Sequence, residues 1–270
     1  MDPQWRGNLE GISFLGITIQ PTTIADLMTA VSEIIGQRKQ CIVANHNLHS
    51  LYLFHREQRL RNFFRSSTLT HIDGMAMVAL ARLYGHRVKC DQRVTYVDWT
   101  GPLMATAAKN GWRVFYLGSK PGIGPKAAMR LRRRYAGLRI RSVHGYFNSE
   151  PDTRENENVL RAIQTYEPHV LMVGMGMPRQ ELWIHENLSR ICANVILPSG
   201  AAMDYVAGAV ATPPRWAGRL CLAWMFRLIS EPKRLWVRYL VEPWCILPLL
   251  ARDFARRSPC LNDTRLSNPE

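Results

Sequence analysis

Residues 113–135 read RVFYLGSKPGIGPKAAMRLRRRY, and this stretch sets the fold class. Its first five residues, Arg113–Leu117, form an apolar and aromatic run that predicts a buried strand. A glycine-rich turn follows at once, and the pattern after it predicts a helix over Gly124–Tyr135. A strand that leads through a tight turn into a helix is the repeating unit of α/β proteins, so a sheet covered by helices is expected.

The same unit recurs on both sides of this stretch. The other predicted strands are Cys41–Ala44, Thr68–Ile72, Leu138–Val143, His169–Val173 and Val195–Leu197. The other predicted helices are Ile24–Gly36, His46–Arg65, Met75–Tyr84, Tyr96–Asn110, Thr153–Tyr166 and Arg179–Cys192. The alternation predicts a Rossmann-like α/β fold whose mainly parallel sheet has helices on both faces and binds ligands at the carboxyl ends of its strands.

The pattern changes near residue 211, so residues 1–210 are predicted to form the core and residues 259–270 a flexible tail. Residues 211–258, the C-terminal helical appendage, are rich in Trp, Arg and Pro. Pro232 and Pro243 each suit the first turn of a helix, which predicts three short helices. Basic side chains interleaved with Trp are typical of a membrane interface. Helices packed on the core by their Trp residues, with a solvated basic face, are the alternative.

The net charge of +14 favours anionic partners such as phosphates or an anionic lipid surface. No nucleic-acid-binding motif accompanies the basic stretch, so nucleic acid is not a predicted partner. The six cysteines include no CxxC pair, which fits a reducing cytosol. With no secretory leader and no apolar run of spanning length, the chain is predicted to be cytoplasmic and peripheral on the inner face of the cytoplasmic membrane. The sequence is compatible with an oligomer.

Asp73 is the candidate catalytic residue. Asp73-Gly74 directly follows the predicted strand Thr68–Ile72 and precedes a helix, where an α/β sheet presents side chains to its ligand crevice. A carboxylate at that place can act as a general base. Asp-Gly is also a common turn pair and Asp a common helix N-cap, so a purely structural function is the alternative.

Gly118 opens the first of two glycine-rich turns, and Lys120 lies within it. Backbone N–H groups, the helix dipole and the lysine charge could together hold a phosphate. The run Gly122–Ala127 imitates a dinucleotide fingerprint, but the strand ending at Val143 is not followed by the acidic residue which that motif requires. A simple glycine-rich connection is the alternative.

The second turn lies in the block Gly174–Glu181, which repeats the strand-to-helix design. Gly174 and Gly176 would allow close backbone approach, and Gln180 could hydrogen-bond a sugar or a base. The charged residues of this block could equally be ordinary first-turn charges of an amphipathic helix. The sequence has no Asp-x-Asp and no HExxH, so neither a metal nor a cofactor is predicted.

Taken together, these segments resemble the WecG/TagA/CpsF glycosyltransferase family over nearly the whole chain. The resemblance rests on Asn45, Asp73-Gly74, Arg93-Val94-Thr95, Tyr116–Gly118, His144–Phe147, Gly174–Glu181 with Trp183-Ile184, Asp204 with Ala207-Gly208, Pro214–Trp216 and the run from Trp224 to Leu240. Members build bacterial surface polysaccharides and wall teichoic acids. They look like metal-independent, inverting enzymes that move a sugar from a UDP-sugar onto a polyprenyl-diphosphate-linked sugar.

The resemblance implies a function for each candidate residue. Asp73 would deprotonate the acceptor hydroxyl, while Tyr146 and Asp204 would contact the uridine. The residues implied to hold donor, acceptor or diphosphate are Asn45, Arg93 and Gln180 in the core and Arg215, Arg227, Arg234 and Arg238 in the appendage. The sequence departs from the family pattern in two places. Val43 stands where many members have Thr, so the sugar specificity is expected to differ. Tyr96-Val97-Asp98 replaces the usual Gly-x-Asp, and Val237 stands where another Arg is common. A nucleotide-cofactor oxidoreductase and a non-enzymatic basic adaptor are the other two hypotheses.

Overall fold

The computed structural model of the protein describes residues 10–212 and 223–257. The predicted tail 259–270 lies outside the described residues, and the domain boundary at residue 210 stays a prediction. In chain order the strands are β1 (Ile12–Phe14), β2 (Ile17–Ile19), β3 (Cys41–His46), β4 (Leu69–Ile72), β5 (Arg113–Gly118), β6 (Arg139–Val143), β7 (Val170–Gly174) and β8 (Val195–Pro198). The helices are α1 (Ile24–Gly36), α2 (Leu48–Arg56), α3 (Gln58–Ser66), α4 (Met75–Leu83), α5 (Tyr96–Lys109), α6 (Ile123–Arg134), α7 (Arg154–Tyr166), α8 (Arg179–Asn187), α9 (Ala202–Ala207), α10 (Ala223–Ser230), α11 (Pro232–Trp236) and α12 (Glu242–Arg257).

The main sheet has six parallel strands in the order β4-β3-β8-β7-β5-β6. All six predicted strands are present, and the predicted α/β class with helices on both faces is confirmed. Side chains of β5 alternate between the two faces, with Val114 and Tyr116 in one apolar cluster and Phe115 and Leu117 in the other. This alternation is the geometry of a strand covered on both sides.

Several boundaries differ from the predicted ones. The helix predicted over His46–Arg65 is two helices, because Glu57 between them has extended backbone angles (φ −114°, ψ 114°). The helix predicted to reach Cys192 ends at Asn187 and is followed by a 3₁₀ turn. The antiparallel β1–β2 hairpin and the short helix α9 were not predicted.

The described part of the appendage packs against the core. Ile246 of α12 is 2% exposed and joins an apolar cluster formed by the β1–β2 hairpin, α2 and α4. On the same helix, Glu242 Oε2 lies 2.6 Å from His49 Nδ1 of α2. Burial of an apolar side chain beside this hydrogen-bonded contact fixes α12 on the core.

A single turn of π-helix, Val237–Val241, joins α11 directly to α12. Pro232 is the first residue of α11, as predicted. Pro243 does not start a separate helix, since α12 continues from the π turn and begins one residue earlier. Of the helices in residues 10–212 and 223–257, none is long and apolar enough to cross a membrane.

Candidate active site at the carboxyl edge of the sheet

Polar groups collect where β4, β3 and β8 end, at neighbouring positions along one edge of the sheet. Asp73 follows β4, Asn45 and Asn47 lie at the end of β3, and Ser199 follows β8. Parallel strands that are neighbours bring their carboxyl ends together, and this edge is the usual ligand crevice of open α/β sheets.

Asp73 is held in a defined orientation by the end of β3. Asn45 Nδ2 and Asn47 Nδ2 each lie 3.3 Å from Asp73 Oδ2, and the Asp73 N–H donates to the His46 carbonyl at 2.8 Å. Both amides donate to the same carboxylate oxygen. Neither amide hydrogen bond involves Asp73 Oδ1, which keeps its lone pairs for another donor.

Opposing effects set the charge state of Asp73. Burial raises the pKa of its carboxyl, whereas the Asn47 hydrogen bond and the charges of Arg238, Arg227 and Arg93 lower it. Burial is the largest of these effects, so Asp73 is a stronger base than a carboxylate in water, while the amide and the arginines favour its ionised form.

Asn47 is the residue that sequence reasoning missed. Its Oδ1 accepts from the Ser50 N–H at 3.0 Å and caps α2, while its Nδ2 donates to Asp73. The signal available in the sequence was an Asn followed three residues later by Ser at a helix start, which indicates a cap but not a contact with Asp73. The hydrogen bond from Asn47 to Asp73 depends on β3 and β4 being neighbours in the sheet.

Two arginines of the appendage act on this edge. Arg227 Cζ lies 5.9 Å from the centre of the Tyr205 ring, and Arg238 Cζ lies 5.7 Å from the centre of the Tyr239 ring. Burial raises the pKa of Asp73, and the charges of both arginines oppose that rise, so the appendage brings positive charge to the site. Arg215 and the side chain of Arg234 lie outside the described residues.

Arg93 reaches the site from the segment beside β4. Its backbone pairs with Ile72, and its Nη2 donates to Asp98 Oδ2 at 3.0 Å. Thr95 Oγ1 donates to the same Asp98 oxygen at 2.8 Å. Asp98 therefore orients the guanidinium, which is part of the field that lowers the pKa of Asp73.

A second polar group lies farther along the edge, where β5 ends. Ser119 Oγ donates to Asp204 Oδ2 at 2.7 Å and lies 2.6 Å from the Tyr116 hydroxyl. Tyr146 is 60% exposed in the loop after β6, and Lys120 is exposed in the turn after β5. Asp204 is thus oriented by the buried Ser119. Tyr146 and Lys120 are both exposed to solvent, in the loops that follow β6 and β5.

The glycines at this edge allow strand ends to approach each other. A Cβ on Gly118 would lie 2.3 Å from the Gly174 carbonyl oxygen, and a Cβ on Gly174 would lie 2.5 Å from that of Gly200. Gly176 differs, because a Cβ there would meet nothing within 4 Å, while its φ of +82° lies in the left-handed region. The close approach expected at Gly174 is thus between neighbouring backbones, as it is at Gly118, whereas Gly176 permits a turn.

Gln180 and Arg179 turn inward to hold loops of the site. Gln180 is 3% exposed, and its Oε1 accepts from the N–H groups of Gly176 and Gly200 at 3.2 Å each. Arg179 Nη2 donates to the Phe147 carbonyl at 2.6 Å. Both side chains are therefore engaged with the protein itself, in the loops that follow β6, β7 and β8.

Comparison with known proteins identifies the family. A family model described as the WecG/TagA/CpsF glycosyl transferase family matches residues 12–259. The N-acetylglucosaminyldiphosphoundecaprenol N-acetyl-beta-D-mannosaminyltransferase of Staphylococcus aureus strain MRSA252 is 24% identical over 241 residues, which cover 87% of this chain and 91% of that protein. Its namesake from strain MW2 is 23% identical with the same coverage. Since the family model spans most of the sequence, including Asp73 and the described appendage, the chain belongs to the WecG/TagA/CpsF family and is a glycosyltransferase.

Proposed function

We propose that this glycosyltransferase moves a sugar from a UDP-sugar onto a sugar linked to polyprenyl diphosphate, with inversion at the anomeric carbon, in the synthesis of a bacterial surface polymer. The similar S. aureus proteins are named for an undecaprenyl-diphosphate-linked acceptor, which supports this acceptor class. The observation that carries the proposal is Asp73, oriented by two amides and faced by Arg227 and Arg238.

The reaction is a single displacement. Asp73 Oδ1 takes the proton of the acceptor hydroxyl as its oxygen attacks the anomeric carbon of the donor sugar. The bond between that carbon and the UDP oxygen breaks, and UDP leaves with the bonding electrons. Attack from the face opposite the leaving group inverts the configuration, and the proton stays on Asp73 until solvent removes it.

Cationic side chains stabilise the departing diphosphate. Arg227 and Arg238 are the described cations of the appendage that act on the site, and Arg93 adds a third from the core. Guanidinium groups bind phosphate oxygens through charge-assisted hydrogen bonds, which is adequate to stabilise a developing diphosphate charge. Independence from a metal ion stays a prediction, and activity in EDTA tests it.

An exposed apolar stripe on the appendage supports work at a membrane surface. Trp236, Leu240, Trp244 and Leu247 are 51%, 50%, 70% and 51% exposed, and their spacing places them along one side of α11, the π turn and α12. Ile246 on the other side is buried against the core. We propose that the stripe enters the inner leaflet while Arg227 and Arg238 meet the acceptor diphosphate below it.

The transfer reaction is tested by UDP release. A panel of UDP-sugars is incubated with a short-chain polyprenyl-diphosphate-linked N-acetylglucosamine, with and without EDTA, and wild type is compared with Asp73→Asn. Release that requires the acceptor and falls by about a thousandfold in the variant is expected, since removal of a general base costs this order of rate. Equal turnover by the two proteins refutes Asp73 as the base.

Membrane contact is tested separately by sedimentation with vesicles that contain anionic lipid. Trp244→Ser is expected to reduce the bound fraction, because it removes a large exposed apolar side chain from the stripe. Met129→Ser on α6 is the matched control, since Met129 is 46% exposed on the core. Loss of binding in both variants, or in neither, contradicts an interface at the stripe.

A further inference from the structure

Glu181 is a buried acid beside the site to which neither the reaction nor the family resemblance gives a function. It lies in the first turn of α8 and is 1% exposed. Its Oε1 accepts from Gln180 Nε2 at 2.7 Å, whereas Oε2 is buried and has no hydrogen-bond partner among the described residues. Burial of a carboxyl group with one oxygen unsatisfied lowers stability, so Glu181 is a candidate for a function other than stabilising the fold.

The Gln180 amide joins two loops that flank the site. Gly176 follows β7 and Gly200 follows β8, and these strands are neighbours in the sheet. Both glycine N–H groups donate to Gln180 Oε1 at 3.2 Å. A single side-chain oxygen thus holds the two turns at a fixed separation, and the second of them leads into the helix that carries Asp204.

Glu181 and the two glycine N–H groups together determine which way this amide faces. If the amide turned over, its NH₂ group would point at the N–H donors of Gly176 and Gly200, and its oxygen would face the Glu181 carboxyl. The contact between Gln180 Nε2 and Glu181 Oε1 therefore selects the orientation that leaves Oε1 for the two glycines.

Glu181 interacts electrostatically with two groups that also interact with Asp73, namely Tyr96 and Arg238. Burial raises the pKa of the Tyr96 hydroxyl, and the charges of Asp73 and Glu181 raise it further. Burial also raises the pKa of Glu181, which the charge of Arg238 opposes. The Tyr96 hydroxyl is itself buried without a hydrogen-bond partner among the described residues. Glu181 is thus close to the same groups of α5 and the π turn that surround Asp73.

We propose that Glu181 is a positioning residue, which through Gln180 fixes the loops after β7 and β8 at the edge of the reaction site. It does not touch the substrate. Its effect on turnover rests on the transferase function proposed above, whereas its effect on the loops does not depend on that function.

Two substitutions separate this function from simple packing. Glu181→Gln keeps an acceptor for Gln180 Nε2, and Glu181→Met has a similar length but none. The first readout is hydrogen exchange of the segments that contain Gly176 and Gly200. Exchange there is expected to rise about fivefold to tenfold in Glu181→Met, because the Gln180 amide loses the acceptor that helps hold it in one orientation. In Glu181→Gln it is expected to stay near the wild-type rate.

Turnover is the second readout. We expect kcat of Glu181→Met to fall by about tenfold to a hundredfold with KM little changed, since the loops lose their alignment. The kcat of Glu181→Gln is expected to stay within about threefold of wild type. Unchanged exchange at both loops in a folded Glu181→Met protein overturns the proposal, as does equal loss of turnover in the two variants. If wild type transfers no sugar, the exchange experiment still decides the positioning function and only the transferase function fails.

Discussion

Glu181→Gln is expected to increase the free energy of unfolding, relative to wild type, by more at pH 8 than at pH 5. Burial raises the pKa of the Glu181 carboxyl from 4.5 to about 7 in the folded protein, although Gln180 and Arg238 oppose the shift. A folded-state pKa above the unfolded value means that the folded protein binds more protons in this interval. Wild type therefore loses stability as the pH rises from about 4.5 to about 7.

The size of the effect follows from the pKa difference. A shift of this size corresponds to about 3 kcal/mol at 1.36 kcal/mol for each pH unit, which is the largest difference expected between the two pH values. For a chain of this length it corresponds to a change in Tm of roughly 5 °C. Glutamine cannot ionise, so the variant lacks this pH-dependent loss.

Urea unfolding at pH 5 and pH 8 measures the difference for wild type and variant. Glu150→Gln is the control, because it is the same change of side chain at an exposed position. A stability difference between Glu181→Gln and wild type that does not change with pH would refute the assignment of Glu181 as a buried acid which titrates near neutrality.

Asn47→Ser is expected to keep the α2 cap, because Ser is also a good N-cap, but to raise the pKa of Asp73 and lower kcat/KM about tenfold at pH 6.5. An acidic limb of the pH–rate profile at its wild-type position would contradict this. Arg227→Gln removes a charge that lowers the pKa of Asp73, so its acidic limb is expected at higher pH, and an unmoved limb would exclude that coupling. Gly118→Ala is expected to lower the free energy of unfolding by at least about 2 kcal/mol, because the new Cβ would overlap a neighbouring backbone. Gly36→Ala is its control in thermal unfolding, since a Cβ on Gly36 meets nothing within 4 Å.

The sheet could be predicted from the sequence because its strands are continuous apolar runs, such as Val170–Gly174, set between helical patterns. The hairpin β1–β2 could not, since each strand is only three residues long and the turn uses left-handed angles at both Leu15 and Gly16. The break at Glu57 carries no Gly or Pro, so nothing local marks it.

Some residues of the site could also be predicted from the sequence, whereas others could not. The location of Asp73 after a strand was enough to identify it as a candidate, because the end of a parallel strand is a local feature. The partners of Asp73 and Gln180 were not visible, since they depend on which strands are neighbours and on which way a buried amide faces. Asn47 and Glu181 gain their functions from contacts across the sheet rather than from sequence motifs.

The π turn Val237–Val241 also determines how far α12 is rotated about the helix axis relative to α11. It contains one residue more than an α-helical turn would need, and each residue of a helix adds about 100° of rotation. Deletion of one residue there would convert the turn to α-helix and rotate everything after it by about that angle. Glu242 would leave His49, and the apolar stripe beyond it would turn out of line with Arg238. A single extra residue thus keeps the apolar stripe and Arg238 in register along one continuous rod.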